Sequence, residues 1–336
     1  MIKREDIEAK EISFLSEYAA KSRYSKGRKD FEEKCRFRTD FQRDRDRIIH
    51  SKAFRRLMHK TQVFLSPEGD HFRTRLTHTL EVAQISRTIA RALNLNEDLA
   101  EAIAMGHDLG HTPFGHNGET YLNEIHKNGF KHNEQSLRVV DFLEKRSDNV
   151  GMNLTEEVRD GILNHTGAHW PFTLEGRIVR FSDRIAYINH DIDDAIRGGV
   201  LKEEDIPEEC LQSIGKSHRE RINNLIVDLV ENSMHKNDIT MSEERLYFQN
   251  KLRDFMFENV YHSEIIKQTD NMIKIRKMME ILYDYYLKNT EQLPIEYRDM
   301  IDRWGKEEIV KDHIAGMTDR YAINLFKEVF VPSSWK

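Results

Sequence analysis

Residues 102–119 read AIAMGHDLGHTPFGHNGE, an apolar helical run that ends in a dense group of histidines and acids. His107 and Asp108 are adjacent in this stretch, and two more histidines and a glutamate follow closely. Imidazole and carboxylate groups together bind Zn, Fe, Mn or Mg-class ions, and they also carry protons. The His-Asp pair alone is weak evidence, since the chain has 16 histidines and the pair could form a surface ion pair. Whether this pair is part of a metal site therefore depends on residues elsewhere in the chain.

The composition of the 336-residue chain fits one large domain or two smaller ones. The chain is 38% hydrophobic and 33% charged, with only 6 Pro and 16 Gly. Its net charge of -6 provides no general attraction for nucleic acid or phosphate, so an anion site requires a local cluster of Arg and Lys. With two cysteines, no apolar leader and no run of about 18 apolar residues, we expect a cytoplasmic protein without a membrane span.

Helical periodicity runs through nearly the whole chain and predicts an all-α fold. The clearest helical segments before residue 200 are 76–93, 97–110, 118–129, 132–146, 155–165 and 174–199. Asn96 is expected to cap the helix that leads to His107, and Gly110 is expected to end it. Thr155 is expected to cap the 155–165 helix. Amphipathic helices continue from 202 to 330, with no repeat and no convincing hairpin.

Two polar residues on otherwise apolar helix faces strengthen the case for a metal site. His78 lies on one such face, where a satisfied core histidine is the simpler interpretation for that residue alone. Asp183 interrupts the apolar face of another helix and needs a partner, either a metal or a neighbouring arginine, because an unpaired buried carboxylate is costly. Together with the His107-Asp108 pair, these residues fit a metal site in the core of a helical bundle.

His116 and Glu119 supply candidate proton chemistry just after the His-Asp pair. They are three residues apart and can share a helix face. A carboxylate that binds one imidazole nitrogen selects the tautomer and raises basicity, which favours a general acid with its orienting partner. The alternative is a capping histidine and a glutamate stabilised by the helix dipole. His132 precedes the next helix, where it could cap or contact phosphate.

The segment 36–64 is very rich in arginine. Taken alone, such a run is most simply a solvated basic face. Its apolar residues recur at helical spacing, however, so one face is expected to pack against the protein. Further alternatives are an allosteric nucleotide site, a subunit contact or a surface for single-stranded nucleic acid.

Five motifs resemble one known family when they are taken in order. They are RDRDRIIHSKAFRRLMHKTQVF, RLTHTLEVAQIS, GHDLGHTPFGHNGE, FKHNEQSLR and RFSDRIAYINHDIDDA. This set resembles the HD-domain deoxynucleoside triphosphate triphosphohydrolases, the bacterial dGTPase-like group. The resemblance runs from about Arg36 to Gly199 and is looser in the C-terminal half.

The resemblance implies a role for each matching residue. The implied metal ligands are His78, His107, Asp108 and Asp183. The implied catalytic residues are His116, Glu119 as its acidic support, and His132 near the phosphates, with His111 secondary. The implied substrate-binding residues are Gln62, Arg75, Arg184, Tyr187, Asp191 and Arg253, with Tyr261 after the last of these. Independently of the resemblance, Asp183, Tyr187 and Asp191 are spaced by four and therefore line one helix face.

The resemblance also implies an architecture and a reaction. The architecture is an HD-domain helical bundle with a helical C-terminal extension, divided into an N-terminal segment 1–35, a catalytic core 36–200 and a C-terminal region 201–336. The reaction is hydrolysis of dNTPs, dGTP among them, to deoxynucleoside and inorganic triphosphate by attack of metal-bound hydroxide on the α-phosphate. The implied cofactor is a divalent ion at the HD site (Mn, Fe, Zn or Mg), and Mg is expected to arrive with the triphosphate. A homo-oligomer, often a hexamer, is the implied assembly.

Two alternatives to this reaction stay open. A different HD phosphohydrolase would act on nucleoside monophosphates, cyclic nucleotides or alarmones with the same metal ligands. A regulatory protein would instead sense a nucleotide in the pocket and bind nucleic acid through the arginine-rich segment.

Overall fold

The computed structural model describes residues 1–62, 73–146, 149–261 and 270–332. Helices make up nearly all of the regular structure in these ranges, so the all-α prediction is confirmed. In chain order the helices are α1 Arg4–Phe14, α2 Asp40–Ile49, α3 Lys52–Arg56, α4 Arg75–Ala92, α5 Glu97–Gly106, α6 Gly115–Ile125, α7 His132–Arg138, α8 Glu156–Asn164, α9 Leu174–Arg197, α10 Glu208–Ile214, α11 His218–Ser233, α12 Glu243–Met256, α13 Asp270–Lys288, α14 Ile295–Arg298, α15 Ile301–Trp304, α16 Lys306–Ala315 and α17 Asp319–Phe330.

Short irregular pieces complete the described part of the chain. Two-residue strands, β1 Lys145–Arg146 and β2 Asn149–Val150, form one antiparallel pair in which Lys145 lies opposite Val150. The sequence showed no convincing hairpin, and a pair this short leaves no detectable alternation of apolar residues. Single turns of 3-10 helix and π-helix lie between the α-helices, the longest being Val139–Leu143 and Phe257–Tyr261.

The centre of the fold is a bundle in which α4, α5 and α9 pack against one another, with α2 and α8 on α5. Ile85, Ile103 and Ile185 are fully or almost fully buried between these helices. Each such side chain contributes about 1.5–3 kcal/mol on burial. Leu80 on α4 points away from this core and is 47% exposed.

A second apolar core joins the middle of the chain to its C-terminal helices. Phe114, Leu122 and Phe130 pack with buried residues of α13, α16 and α17. The first core likewise continues past residue 200, since Leu225 and Leu252 are buried in it. The three-part division at residues 35 and 200 stays a prediction. None of the described helices is both long and apolar enough to cross a membrane.

The helix that carries the His-Asp pair begins where the sequence predicts and ends earlier. Asn96 caps α5, because its side-chain oxygen accepts a hydrogen bond from the Leu99 amide at 3.2 Å. The helix ends at Gly106 rather than at Gly110. Gly110 instead lies in a turn against α7, where an added Cβ would approach the Ser136 amide nitrogen to 2.2 Å. That glycine is required by close packing, which the sequence pattern does not distinguish from a helix stop.

Thr155 is the N-cap residue of α8, as predicted, but its side chain does not form the cap. Its hydroxyl and amide both donate to Asp44 on α2, at 2.7 and 2.8 Å. Thr155 therefore binds the buried carboxylate of Asp44 instead of the amides of α8, since hydrogen bonds to charged groups are stronger than those to neutral ones.

Candidate metal centre

Four polar side chains from three helices converge at the middle of the bundle. His78 lies on α4, Asp183 on α9, and His107 and Asp108 follow the end of α5. His78 Nε2 is 3.1 Å from Asp183 Oδ1, and His107 Nε2 is 3.4 Å from Asp108 Oδ1 and 3.7 Å from Asp183 Oδ1. Ligand atoms at about 2.0–2.2 Å from one ion lie about 3–3.6 Å apart. The structure therefore brings the four residues predicted as ligands into one region, and the ligand atoms of His78, His107 and Asp108 lie within 4.8 Å of one another, so that these three could hold one ion.

The orientation of His107 fits a metal ligand. Its ring is fully buried, and Nδ1 lies 2.7 Å from the Ala104 carbonyl oxygen, to which it donates. This hydrogen bond leaves the lone pair on Nε2, which has no hydrogen-bond partner among the described residues. A backbone carbonyl that sets the tautomer in this way is the usual support of a metal-binding histidine. The donor set of two imidazoles and two carboxylates suits Mn, Fe or Zn.

The electrostatics of Asp183 are consistent with its place in the cluster. Burial alone would raise the pKa of Asp183, but the hydrogen bond from His78 and the proximity of His107 outweigh burial and hold that pKa below its ordinary value. Asp183 therefore stays ionised at neutral pH, as a metal ligand must.

Arg75 has a different neighbour from the one expected. The sequence resemblance implied a phosphate contact, whereas the buried guanidinium donates from Nη1 to Asp108 Oδ2 at 2.9 Å. The charge of Arg75 thus offsets that of a buried carboxylate in the cluster.

Glu119 forms its hydrogen bonds with His132. It accepts from the His132 backbone amide at 2.8 Å and lies 2.9 Å from His132 Nδ1. The predicted support of His116 by Glu119 stays a prediction, and Glu119 also holds His132, because the start of α7 lies against the first turn of α6. His116 is exposed in that first turn. Burial would raise the pKa of Glu119, but His132 outweighs burial and holds that pKa well below its ordinary value.

His165 belongs to the cluster and was not singled out in the sequence. It follows the end of α8, and its Nδ1 lies 2.7 Å from the Ile162 carbonyl oxygen, to which it donates. Its Nε2 lies 3.2 Å from His132 Nε2, and its ring centre lies 5.0 Å from that of His107. Burial and the nearby His107 lower the pKa of His165 to about 3. A histidine at the end of an apolar helix, as His107 also is, was the available signal.

Several predicted substrate contacts lie around Tyr187 on α9. Burial raises the pKa of this phenol, and Arg184, Asp183, Arg253 and Asp191 are all near enough to influence it.

Other predicted contacts have partners within the protein. Arg184 donates to Asn250 Oδ1 at 3.3 Å, and Arg253 pairs with the neighbouring Asp254. Gln62 is buried, and its side-chain oxygen has no hydrogen-bond partner in the described ranges. The side chain of Tyr261 lies outside the described residues.

The turn between α5 and α6 forms hydrogen bonds with Lys60 and with Asp319 at the start of α17. The Lys60 ammonium donates to the carbonyl oxygens of His111 and Ala315. Asp319, at the start of α17, accepts from the Phe114 amide at 3.0 Å and from the Thr61 amide at 3.1 Å. Phe114 has a left-handed backbone with φ of +65°, a strained conformation that such contacts stabilise.

A cavity of about 760 Å³ lies on the far side of the same turn. Leu109 and Gly110 form part of its wall, next to the buried Asp312. Its basic lining residues are Arg38, Arg43, Arg47, Lys52, Arg55, Arg56, Lys60 and Lys145. Burial, together with the charges of Arg56 and Arg75, lowers the pKa of Lys60 to about 7. The arginine-rich segment therefore lines a cavity and is not only a solvated face.

Comparison with known proteins agrees with this arrangement. Residues 75–188 match the model of the HD domain, and residues 239–328 match that of a phosphohydrolase-associated domain. A deoxyguanosinetriphosphate triphosphohydrolase-like protein of Caldanaerobacter subterraneus subsp. tengcongensis is 58% identical over 332 residues, which cover 99% of this chain and 97% of that protein. The chain belongs to this dGTPase-like family of HD-domain proteins. It is accordingly a phosphohydrolase with a His/Asp cluster that could bind a divalent metal.

Further relatives give the same family. The protein of the same description from Desulfatibacillum aliphaticivorans is 48% identical over 349 residues, covering 98% of each chain. Among solved structures, a hypothetical protein from Aquifex aeolicus has a TM-score of 0.49 and 20% identity, covering 86% of this chain and 68% of that one. This structural similarity is too low to support an argument about function. The family assignment depends on the sequence relatives.

The Asp183→Ala variant tests the metal cluster. We expect it to lose tightly bound divalent metal, because two of the imidazoles lose the carboxylate that they share. Metal content after dialysis, measured by inductively coupled plasma mass spectrometry, checks this. Asp193→Ala is the matched control, since Asp193 lies on the same helix and faces Arg221. Full metal content in folded Asp183→Ala protein would exclude Asp183 as a ligand.

Proposed function

We propose that the protein hydrolyses dNTPs, dGTP among them, to deoxynucleoside and inorganic triphosphate. The observation that carries this proposal is the convergence of His78, His107, Asp108 and Asp183, with the lone pair of His107 Nε2 directed into the cluster. The naming of the relatives as deoxyguanosinetriphosphate triphosphohydrolase-like proteins supports the substrate class. Attack of water at phosphorus requires a water molecule that is activated at neutral pH. A metal ion held by this cluster would activate it.

The cluster would hold a divalent ion, and the ion supplies Lewis-acid chemistry that lowers the pKa of bound water and polarises a phosphoryl oxygen. The remaining roles belong to side chains of this protein. Arg75 neutralises Asp108, and in the substrate complex the same guanidinium is near enough to meet the α-phosphate. Arg184, Arg253 and His132 add positive charge for the polyphosphate, whose binding is favoured by charge-assisted hydrogen bonds. Mg is expected to accompany the triphosphate.

His116 is proposed to protonate the leaving 5′-oxygen. It is exposed in the first turn of α6, and its ring centre lies 6.1 Å from that of His111 beside Asp108. A general acid needs to meet a substrate that arrives from solvent, and an exposed position next to the metal cluster suits that role. Glu119 acts on His132 in this proposal, since the carboxylate holds the imidazole in position for phosphate.

Tyr187, Asp191 and Gln62 are proposed to recognise the sugar. Tyr187 is largely buried on the helix that carries Asp183, one turn away, so its ring is near the reacting centre. Packing of this ring against C2′ would disfavour a ribose, whose extra hydroxyl needs both room and a partner. The side-chain oxygen of Gln62 has no hydrogen-bond partner among the described residues, which suits a 3′-hydroxyl donor.

The reaction is tested by hydrolysis in ¹⁸O-labelled water. The protein is incubated with Mn²⁺ and each dNTP, and products are identified by mass spectrometry. We expect unlabelled deoxynucleoside and triphosphate that carries the label, because water attacks the α-phosphorus. Release of pyrophosphate or phosphate first would point to another HD phosphohydrolase, and label in the nucleoside would show cleavage of the C5′–O bond and contradict attack at phosphorus. GTP in the same assay should turn over far more slowly than dGTP; equal rates would contradict the proposed role of Tyr187.

The His116→Ala variant tests the general acid. Turnover should fall by roughly 10²–10⁴, the usual contribution of a general acid, while metal content and dGTP binding stay unchanged. Thr120→Ala is the matched control, since Thr120 is exposed one turn later on α6. Stopped-flow kinetics and equilibrium dialysis provide the two readouts. A normal turnover number for His116→Ala would remove this residue from the mechanism.

The basic cavity favours an anionic effector. We propose that a second nucleotide binds there, because its many basic groups could neutralise a triphosphate and its wall includes the turn that follows Asp108. The alternatives are a subunit contact and single-stranded nucleic acid. A homo-oligomer stays a prediction.

Assays of dNTPs singly and in pairs test the effector site. One dNTP should activate hydrolysis of another, and Arg55→Ala should abolish the activation while keeping the basal rate, because Arg55 lines the cavity away from the metal cluster. Arg298→Ala is the control, as an exposed arginine that does not line the cavity. Unchanged activation of Arg55→Ala, or no activation of the wild type, would contradict the proposal.

A further inference from the structure

One face of α9 is open to solvent beside the His/Asp cluster. Between residues 177 and 187 of this helix, the residues that are not buried are Arg177, Arg180, Asp183, Arg184 and Tyr187. Their spacing places all five on one side of the helix. The side chain of Asp183, a predicted metal ligand, is 20% exposed. This open face is therefore where a ligand that arrives from solvent can reach the cluster.

Arg180 forms no ion pair with a carboxylate in the described part of the chain. Its guanidinium donates to three backbone carbonyl oxygens in the loop between α8 and α9, those of Asn164 at 3.3 Å, Gly167 at 2.6 Å and His169 at 2.6 Å. A guanidinium has five N–H donors, so these bonds leave the Nε–H and one Nη2–H for a ligand. The centre of the Trp170 ring lies 4.3 Å from Cζ of Arg180 and holds the guanidinium on one side.

Arg184 lies one turn further along the same face and likewise pairs with no carboxylate among the described residues. It donates to the amide oxygen of Asn250 at 3.3 Å. Burial and the charge of Arg184 lower the pKa of Arg180. Two like charges on one helix face raise its positive potential, and an anion that binds between them would relieve their repulsion.

The order of residues along α9 indicates which part of a nucleotide would reach Arg180. This step rests on the proposed function, in which the α-phosphorus lies at the metal cluster and the sugar at Tyr187. Tyr187 follows Asp183 by one turn, whereas Arg180 precedes Asp183 by about 4.5 Å along the helix axis. Since the sugar and the β-phosphate are attached to opposite sides of the α-phosphate, the polyphosphate extends away from Tyr187 and toward Arg180.

We propose that Arg180 binds the terminal phosphate of the substrate, with Arg184 on the phosphate before it. The planar fork of a guanidinium matches phosphate oxygens and forms charge-assisted hydrogen bonds with them. The shorter tail of a deoxynucleoside mono- or diphosphate would not reach Arg180. Arg180 is thus a specificity-determining residue that favours triphosphates, and Trp170 positions its guanidinium.

Binding of inorganic triphosphate tests the inference without a nucleotide. Isothermal titration calorimetry with triphosphate and Mg²⁺ is carried out on the full-length Arg55→Ala protein, in which binding to the basic cavity is weakened. In this parent, Arg180→Gln keeps amide donors for the loop carbonyls but removes the charge. It should weaken triphosphate binding by roughly 10–100-fold, the usual contribution of hydrogen bonds to a charged group. Arg180→Lys keeps the charge and should retain more of the affinity.

Steady-state kinetics with dGTP provide a second readout. Arg180→Gln should raise KM while kcat changes little, because the contact to the terminal phosphate is the same in the ground state and in the transition state. A lower kcat at unchanged KM would contradict a role in binding the tail.

Arg177→Gln is the matched control. Arg177 lies on the same open face one turn before Arg180, but its guanidinium is bound by Asp238 at 2.7 Å. This variant should keep both the triphosphate affinity and the KM for dGTP. Circular dichroism and metal content verify that each variant keeps its fold and its His/Asp cluster.

Three results would overturn the proposal. They are the absence of triphosphate binding in the parent, an unchanged affinity in folded Arg180→Gln, and an equal loss in Arg180→Lys and Arg180→Gln, which would assign Arg180 a structural role in the loop. Failure of the proposed function is distinguishable from these. Weaker triphosphate binding by Arg180→Gln in a protein that does not hydrolyse dNTPs would refute the reaction and leave Arg180 as a polyphosphate ligand.

Discussion

The buried carboxylate of Asp108 is the constraint on which the site depends. It is 3% exposed at the centre of the bundle, where an unpaired charge would cost several kcal/mol. Arg75 from α4 and His111 from the following turn meet its two oxygens, at 2.9 and 3.1 Å. The relative positions of α4 and α5 are therefore set by charge as well as by apolar packing. The same arrangement gathers His78, His107 and Asp108 into a group of donor atoms that could hold a metal ion.

The geometry of the turn after Asp108 depends on parts of the chain that are distant in sequence. Ser136 on α7 accepts from the Gly110 amide at 2.9 Å and donates to the His107 carbonyl at 2.7 Å. Lys60 and Asp319 hold the other side of the turn through backbone atoms. The C-terminal helices thus contact the turn that follows Asp108. Since the basic cavity borders the same turn, a ligand there would contact the elements that position Asp108 and His111.

The sequence predicted the parts of the site that depend on local periodicity. Asn96 was recognisable as a cap, and His78 and Asp183 as polar residues on inward faces, because helix geometry alone decides which side chains share a face. The pairing of Glu119 with His132 and the role of Thr155 were not predictable in this way. In both cases the partner comes from another helix, and a single sequence carries no information on which distant groups are close. His165 was missed for the same reason.

The sequence by itself determined an all-α chain and the family, and it predicted four residues that converge in the bundle, because periodicity and ordered motifs are properties of the chain alone. Only the tertiary structure decided that Glu119 binds His132, that Arg75 neutralises Asp108, and that Asp108, His111 and His132 form a second group of donor atoms with His165 beside it. These features arise from the contact of α6, α7 and α8 around one turn. The physical reason is that distances of about 3 Å between side chains follow from packing, which depends on all helices together.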